Sequence, residues 1–195
     1  MNTTSLLRIV YPVILAVSPE NRRLRGREKV VCLSRFARRA LALSAEKLGL
    51  FPDRLLLLKD ESGVPQPFNG YYWSVTHKST YVAGVVAPER VGIDLEEIRA
   101  VSPLLFKKLA DRQEWALAAL EPLTHFFRYW TSKEAVLKAA GTGIKDLSRC
   151  RIERILGHKR LIVDYLDRRW HIEHRYFDGH IASIVSDGFT IRWIL

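Results

Sequence analysis

The chain has 195 residues, 48% hydrophobic and 27% charged, with a formal net charge of +10. That length suits one domain or two small lobes sharing an interface, and the apolar content excludes wholesale disorder. The charge points to a polyanionic partner, which composition leaves open between nucleic acid, anionic lipid, a phosphorylated cofactor and an acidic protein, or it is a solubility feature.

The first apolar run, SLLRIVYPVILAV at 5–17, is interrupted by Arg8 and has neither a basic lead nor a small-residue cleavage site. It is too short to span a bilayer and reads as a first strand with Pro12 at an edge or bulge. Residues 22–29, RRLRGREK, are nearly all basic. Apolar or small residues at 30, 33, 37, 41, 44 and 48 then recur at helical spacing, and Gly49 is the expected stop. LLLLK at 55–59 reads as a short buried strand, and DESGVPQPFNG as a turn-rich loop. YYWSVTH, YVAGVVA and VGIDLEEI read as three strands, with Pro88, Glu89 and Arg90 as a hairpin turn between the last two. Residues 104–120 read as helical, Pro122 opens a long helix, and Gly141 and Gly143 end it. Five strands close the chain, with Asp178-Gly179 as a hairpin turn. The order predicts an α+β fold, as two lobes of similar make-up, residues 1–90 and 91–195. Cys32 and Cys150 are too few for a disulfide framework and read as free thiols in a reducing cytoplasm.

Several charged residues do not fit a plain core. In VGIDLEEI, Asp94 and Glu96 are two apart, so a strand puts both carboxylates on one face and Ile93 and Leu95 on the other. Like charges that close need a cation between them, and oxygen ligands suit magnesium or manganese; a solvated edge face is the other reading. In FFRYWTSKEAVLKAAGTGI, a helix sets Glu134 on the side of Phe127, Trp130 and Leu137, with Lys138 one turn on. A rim Glu–Lys pair explains those two but not Lys133 or the Gly-Thr-Gly close. His77 ends a strand among small hydroxyl residues. His171, His174 and His180 read as structural or surface residues, since 171 and 174 fall on opposite strand faces.

Together, SVTHKS, GIDLE and the spacing W-x-x-K-E-A-x-x-K-x-x-G-x-G resemble the 4′-phosphopantetheinyl transferase superfamily over roughly residues 18–155, and most closely its monomeric two-lobed members similar to the surfactin-synthetase-activating enzyme. The resemblance implies two α+β lobes with the active site between them. It implies transfer of the phosphopantetheine arm of coenzyme A to a serine of an acidic acyl or peptidyl carrier protein, releasing 3′,5′-ADP. Asp94, Glu96 and Glu134 would hold magnesium, with manganese as a substitute. Asp94, Glu134 and Lys138 would be the catalytic group. Glu134 would take the serine proton directly or through a metal-bound water. Lys133 and Lys138 would face the phosphates, Thr76 and His77 the nucleotide, and Arg22, Arg25, Arg27 and Arg35 the 3′-phosphate. Glu114 falls where such enzymes often have a further acidic residue near the metal. The resemblance further implies a cytoplasmic monomer in fatty-acid or secondary-metabolite synthesis, with neither nucleic acid nor membrane as partner.

Two departures stand out: Val64 replaces a common lysine, with Lys59 or Lys78 as possible substitutes, and Thr76 replaces a common serine. Leu104, Leu105 and Phe106 read either as a carrier-docking patch or as core. The rival functions are a basic nucleic-acid-binding module, which leaves the carboxylates unexplained, and an inactive homologue that binds carriers.

Overall fold

The computed structural model describes residues 8–50, 57–119 and 121–195. The first apolar run divides at Pro12 into β1 (Ile9–Val10) and β2 (Val13–Ala16), and its residues 5–7 lie outside the described part. Proline has no N–H to donate, which suits this break. A short α1 (Pro19–Arg22) leads into α2 (Gly26–Lys47), so the basic tract spans the corner between them. α2 buries Leu33, Ala37, Ala40, Leu41, Ser44 and Ala45, while Val30 points outward at 59% exposure.

β3 (Tyr72–His77) and β4 (Tyr81–Ala87) form an antiparallel pair, and with β2 they make a three-stranded sheet in the order β2-β4-β3. α2 lies closely against it. A Cβ at Gly84 of β4 would sit 2.6 Å from the backbone nitrogen of Leu41, so only glycine permits this approach. Leu55 and Leu56 of the expected strand lie outside the described residues, and Lys59 makes a single bridge with Pro65.

β5 (Ile93–Glu97) does not continue the first sheet. It pairs antiparallel with β9 (His180–Val185), so residues 88–90 are a crossover and not the expected hairpin turn. The second sheet runs β5-β9-β8-β7-β6, adding β6 (Arg151–Ile155), β7 (Arg160–Tyr165) and β8 (Arg168–Phe177). Asp178 and Gly179 make the tight β8–β9 turn with φ of 41° and 68°, the left-handed pair such a two-residue turn requires. β10 (Thr190–Ile191) returns to lie parallel to β1.

The expected helix over 104–120 is two short ones among its described residues, α3 (Pro103–Leu109) and α4 (Arg112–Trp115), separated by an extended Ala110 and a capping box at Asp111; Leu120 lies outside them. α5 (Pro122–Ala140) begins after the Glu121 cap and ends at Gly141, φ 75°. It packs on the second sheet through Phe126, Phe127, Val136 and Leu137, all buried. Each such side chain contributes about 1.5–3 kcal/mol of burial, ample to seat a helix carrying several charges. The fold is therefore α+β, one helix against each sheet. The sheets meet where Ala83 and Val85 face Ile93, Leu95, Ala182 and Ile184 in a shared core.

Candidate active site

Gly92, Asp94 and Glu96 share the face of β5 that looks toward α5, while Ile93 and Leu95 enter the shared core. A Cβ at Gly92 would lie 1.9 Å from the Ala135 carbonyl oxygen. This close approach brings the carboxylates of β5 to the helix turn that carries Glu134 and Lys138.

Asp94 is 4% exposed. Its Oδ1 accepts from Lys138 Nζ at 2.7 Å and from Thr76 Oγ1 at 3.0 Å. Lys138 Nζ also donates to the Ile93 carbonyl at 3.0 Å. Asp94 Oδ2 is buried and has no hydrogen-bond partner among the described residues. Glu96 is buried and pairs with Lys78 at 2.6 Å. Burial raises the carboxyl of Glu96 above its ordinary range against the pull of Lys78. Burial, and then the charge of Asp94, raise Glu134 likewise, against Lys138 and Lys78. Three acidic groups from two elements thus repel one another while lysines offset part of the charge. Among the described residues no three His, Cys, Asp or Glu side chains stand at ligating geometry. The orphaned oxygen and mutual repulsion still fit a hard cation, whose charge would relieve both.

The adjoining cavity, about 250 Å³, is lined by Glu134, Lys138, Lys59, Val64, Ser74 and Thr142 among others. His77 stands at the end of β3. Desolvation, and then the ammonium groups of Lys138, Lys78 and Lys59, hold its imidazole below the usual histidine range.

Other expected residues lie elsewhere. Lys133 turns into the core at 1% exposure, 2.8 Å from Glu114 Oε1 and 2.6 Å from the Leu109 carbonyl oxygen, and does not face the cleft. One residue before Glu134 on a helix is a rotation of about 100°, which carries it off the face that looks to the cleft. Glu114 is consumed by this pair and by the backbone N–H groups of Asp111 and Ile152, so it is not beside the other carboxylates. Thr76 spends its hydroxyl proton on Asp94, which makes it a support for that carboxylate. Arg27 and Arg35 line a separate groove with Leu24 and Val31. Arg25 occupies the N-cap position of α2, and Arg22 Nε donates to the Val17 carbonyl at 2.7 Å. Val17 in turn bonds Thr80, so Arg22 is the one of the four tied to the β3–β4 turn.

Two contacts had no local sequence signal. Thr80 Oγ1 and His180 Nε2 lie 2.7 Å apart, and Tyr81 OH donates to Asp178 Oδ2 at 2.6 Å. They tie the β3–β4 turn, which carries Lys78, to the β8–β9 turn of the other sheet. No described helix is long and apolar enough to cross a membrane.

Residues 90–185 match the family model described as the 4′-phosphopantetheinyl transferase superfamily. The chain is similar to 4′-phosphopantetheinyl transferase psf-1 of Bacillus pumilus, 26% identical over 51% of this chain and 45% of that protein. It is similar to 4′-phosphopantetheinyl transferase HetI of a Nostoc species, 36% identical over 43% of this chain and 38% of that one. It is also similar to the rat L-aminoadipate-semialdehyde dehydrogenase-phosphopantetheinyl transferase, 25% identical over 86% of this chain and 65% of the relative. The chain therefore spans less than two thirds of the length of each of these curated relatives. The matched region runs from β5 through α5 to β9 and contains Asp94, Glu96, Glu134 and Lys138, and over that region, just under half of its length, the chain is similar to the 4′-phosphopantetheinyl transferase superfamily.

Proposed function

We propose that this chain transfers the 4′-phosphopantetheine arm of coenzyme A to a serine of an acyl or peptidyl carrier protein and releases 3′,5′-ADP in a magnesium-dependent reaction. The observation that carries the proposal is the buried Asp94 Oδ2, which has no hydrogen-bond partner among the described residues and lies close to Lys138 and within reach of the charges of Glu96 and Glu134.

Asp94, Glu96 and Glu134 are the residues that would hold magnesium, or manganese in its place. The bound ion would supply neutralisation of the diphosphate charge. Glu134 accepts the proton of the carrier serine as the serine oxygen bonds to the β-phosphorus. The bond from that phosphorus to the bridging oxygen breaks, and the electron pair leaves with 3′,5′-ADP. Lys138, fixed between Ile93 and Asp94, presents a point charge to the departing phosphate. Thr76 keeps Asp94 oriented, and His77 borders the nucleotide side. Phosphoryl chemistry of this kind depends mainly on positioning and charge stabilisation.

On this reading residues 1–90 form a nucleotide-side lobe and 91–195 a lobe carrying the acidic site, with β10 returning across the boundary. The basic excess steers an acidic carrier, and the chain acts as a cytoplasmic monomer. Its cysteines, Cys32 and Cys150, are free thiols, which suits a reducing compartment. The test is intact-mass spectrometry of purified apo-carriers after incubation with coenzyme A, magnesium and the protein. A carrier gaining the mass of the arm, and failing to gain it with Glu134→Gln, supports the proposal. No gain on any carrier of an acyl and peptidyl panel contradicts it.

A further inference from the structure

We propose that Lys78 is a built-in competitor for the cation at Glu96, so that a divalent ion binds weakly to the protein alone and tightly only together with a diphosphate; this rests on the transferase reading above. Lys78 Nζ lies 2.6 Å from Glu96 Oε1, and the two side chains are 36% and 10% exposed. A carboxylate oxygen that already faces an ammonium group at this distance must lose it before it can hold a metal ion. Lys78 is the cation with the strongest pull on Glu96, ahead of Arg99, and it also acts on Glu134, after Lys138. Charge balance sets the consequence. Ionised Asp94, Glu96 and Glu134 face the ammonium groups of Lys78 and Lys138, which leaves one net negative charge. A divalent ion alone overcompensates that charge, whereas the ion together with a diphosphate does not. Without Lys78 the site carries two net negative charges and matches the ion by itself.

The backbones on both sides of this pair are fixed by one turn. The Lys78 N–H donates to the Tyr81 carbonyl at 2.8 Å, which closes the β3–β4 turn. That turn is fastened to the β8–β9 turn of the other sheet at two points. His180 Nδ1–H donates to the Asp178 carbonyl at 2.7 Å, so its Nε2 accepts from the Thr80 hydroxyl at 2.7 Å. Tyr81 OH donates to Asp178 Oδ2 at 2.6 Å, and the Tyr81 ring packs edge-on against Phe177 and His180. The same β8–β9 turn holds the end of β5, where the Ile98 N–H donates to the Gly179 carbonyl at 2.8 Å. A pair whose two backbones are already fixed loses less freedom on closing, which favours Lys78 on Glu96.

The experiment is titration of the full chain with manganese, followed by electron paramagnetic resonance, with and without coenzyme A. The variants are Lys78→Met, Lys78→Gln and Lys78→Arg. Lys159→Met, in the β6–β7 turn at the other edge of the second sheet, is the charge-matched control. Equal melting temperatures verify folding. Losing Lys78 also raises the proton affinity of Glu96, so the titrations are run well above the carboxylate range. Without coenzyme A, Lys78→Met and Lys78→Gln are expected to bind manganese about 10–100-fold more tightly than wild type, the scale of one like charge removed from beside the ion. Lys78→Arg keeps the charge and should stay weak, and Lys159→Met should match wild type. Coenzyme-free binding by the two neutral variants that is no tighter than in wild type overturns the competitor role alone, provided wild type holds the ion with coenzyme A. So does an equal tightening in Lys159→Met, which would assign the effect to net charge. A wild type that holds no ion with or without coenzyme A overturns the transferase reading and this inference together.

Discussion

Lys133→Met keeps the length of a buried side chain and removes its charge, which separates a structural role for this lysine from a phosphate-binding one. Lys133 and Glu114 are 1% and 6% exposed as side chains and lie 2.8 Å apart. Removing one partner of such a pair costs about 3–5 kcal/mol, because the remaining charge stays buried. Glu114 keeps the N–H groups of Asp111 and Ile152, which places the loss near the lower end, about 3 kcal/mol. In a chain of this size each kcal/mol lowers the melting temperature by about 2–4 °C, so a fall of about 6–12 °C is expected. Urea unfolding gives the free energy, and titration with coenzyme A gives the affinity of the folded protein. An unchanged urea midpoint together with tenfold weaker coenzyme binding would refute this reasoning and return Lys133 to the phosphates.

Gly92→Ala places a methyl group 1.9 Å from the Ala135 carbonyl oxygen and 2.7 Å from the Ala139 nitrogen. Both obstacles are backbone, so β5 and α5 must separate; the cost is at least about 1–3 kcal/mol, and a wild-type denaturation midpoint would contradict the close-packing account. Burial holds His174 well below its ordinary 6.5, with Arg128 and His158 adding repulsion, so the unfolded chain takes up a proton that the folded one refuses. Stability should therefore fall as pH drops below about 6.5, and His174→Gln should flatten that part of the profile in urea melts at stepped pH. An identical pH dependence in the variant would show that other groups control it.

Much of the site was legible because helix and strand periods fix faces locally. Asp94 and Glu96 needed only strand alternation, and Glu134 and Lys138 only helical spacing. The Asp178-Gly179 turn followed from its left-handed requirement. What escaped depended on contacts distant in sequence. Lys133 finds its counter-ion on α4, reached only because Ala110 breaks the expected helix and turns the chain back. Thr76 meets Asp94 across the two sheets, which cannot be read from either strand alone. The crossover at 88–90 was invisible for the same reason: β4 and β5 look like a hairpin until β9 supplies the better partner.

The central claim is that acidic groups from β5 and α5 serve one cation that binds together with a diphosphate. Electron paramagnetic resonance of manganese titrated into the protein tests it directly, with and without coenzyme A, in wild type and Asp94→Asn. The account predicts one tightly held ion per chain when coenzyme A is present, and loss of that ion in Asp94→Asn. Retention of the ion by Asp94→Asn, or no coenzyme-dependent binding in the wild type, would contradict it.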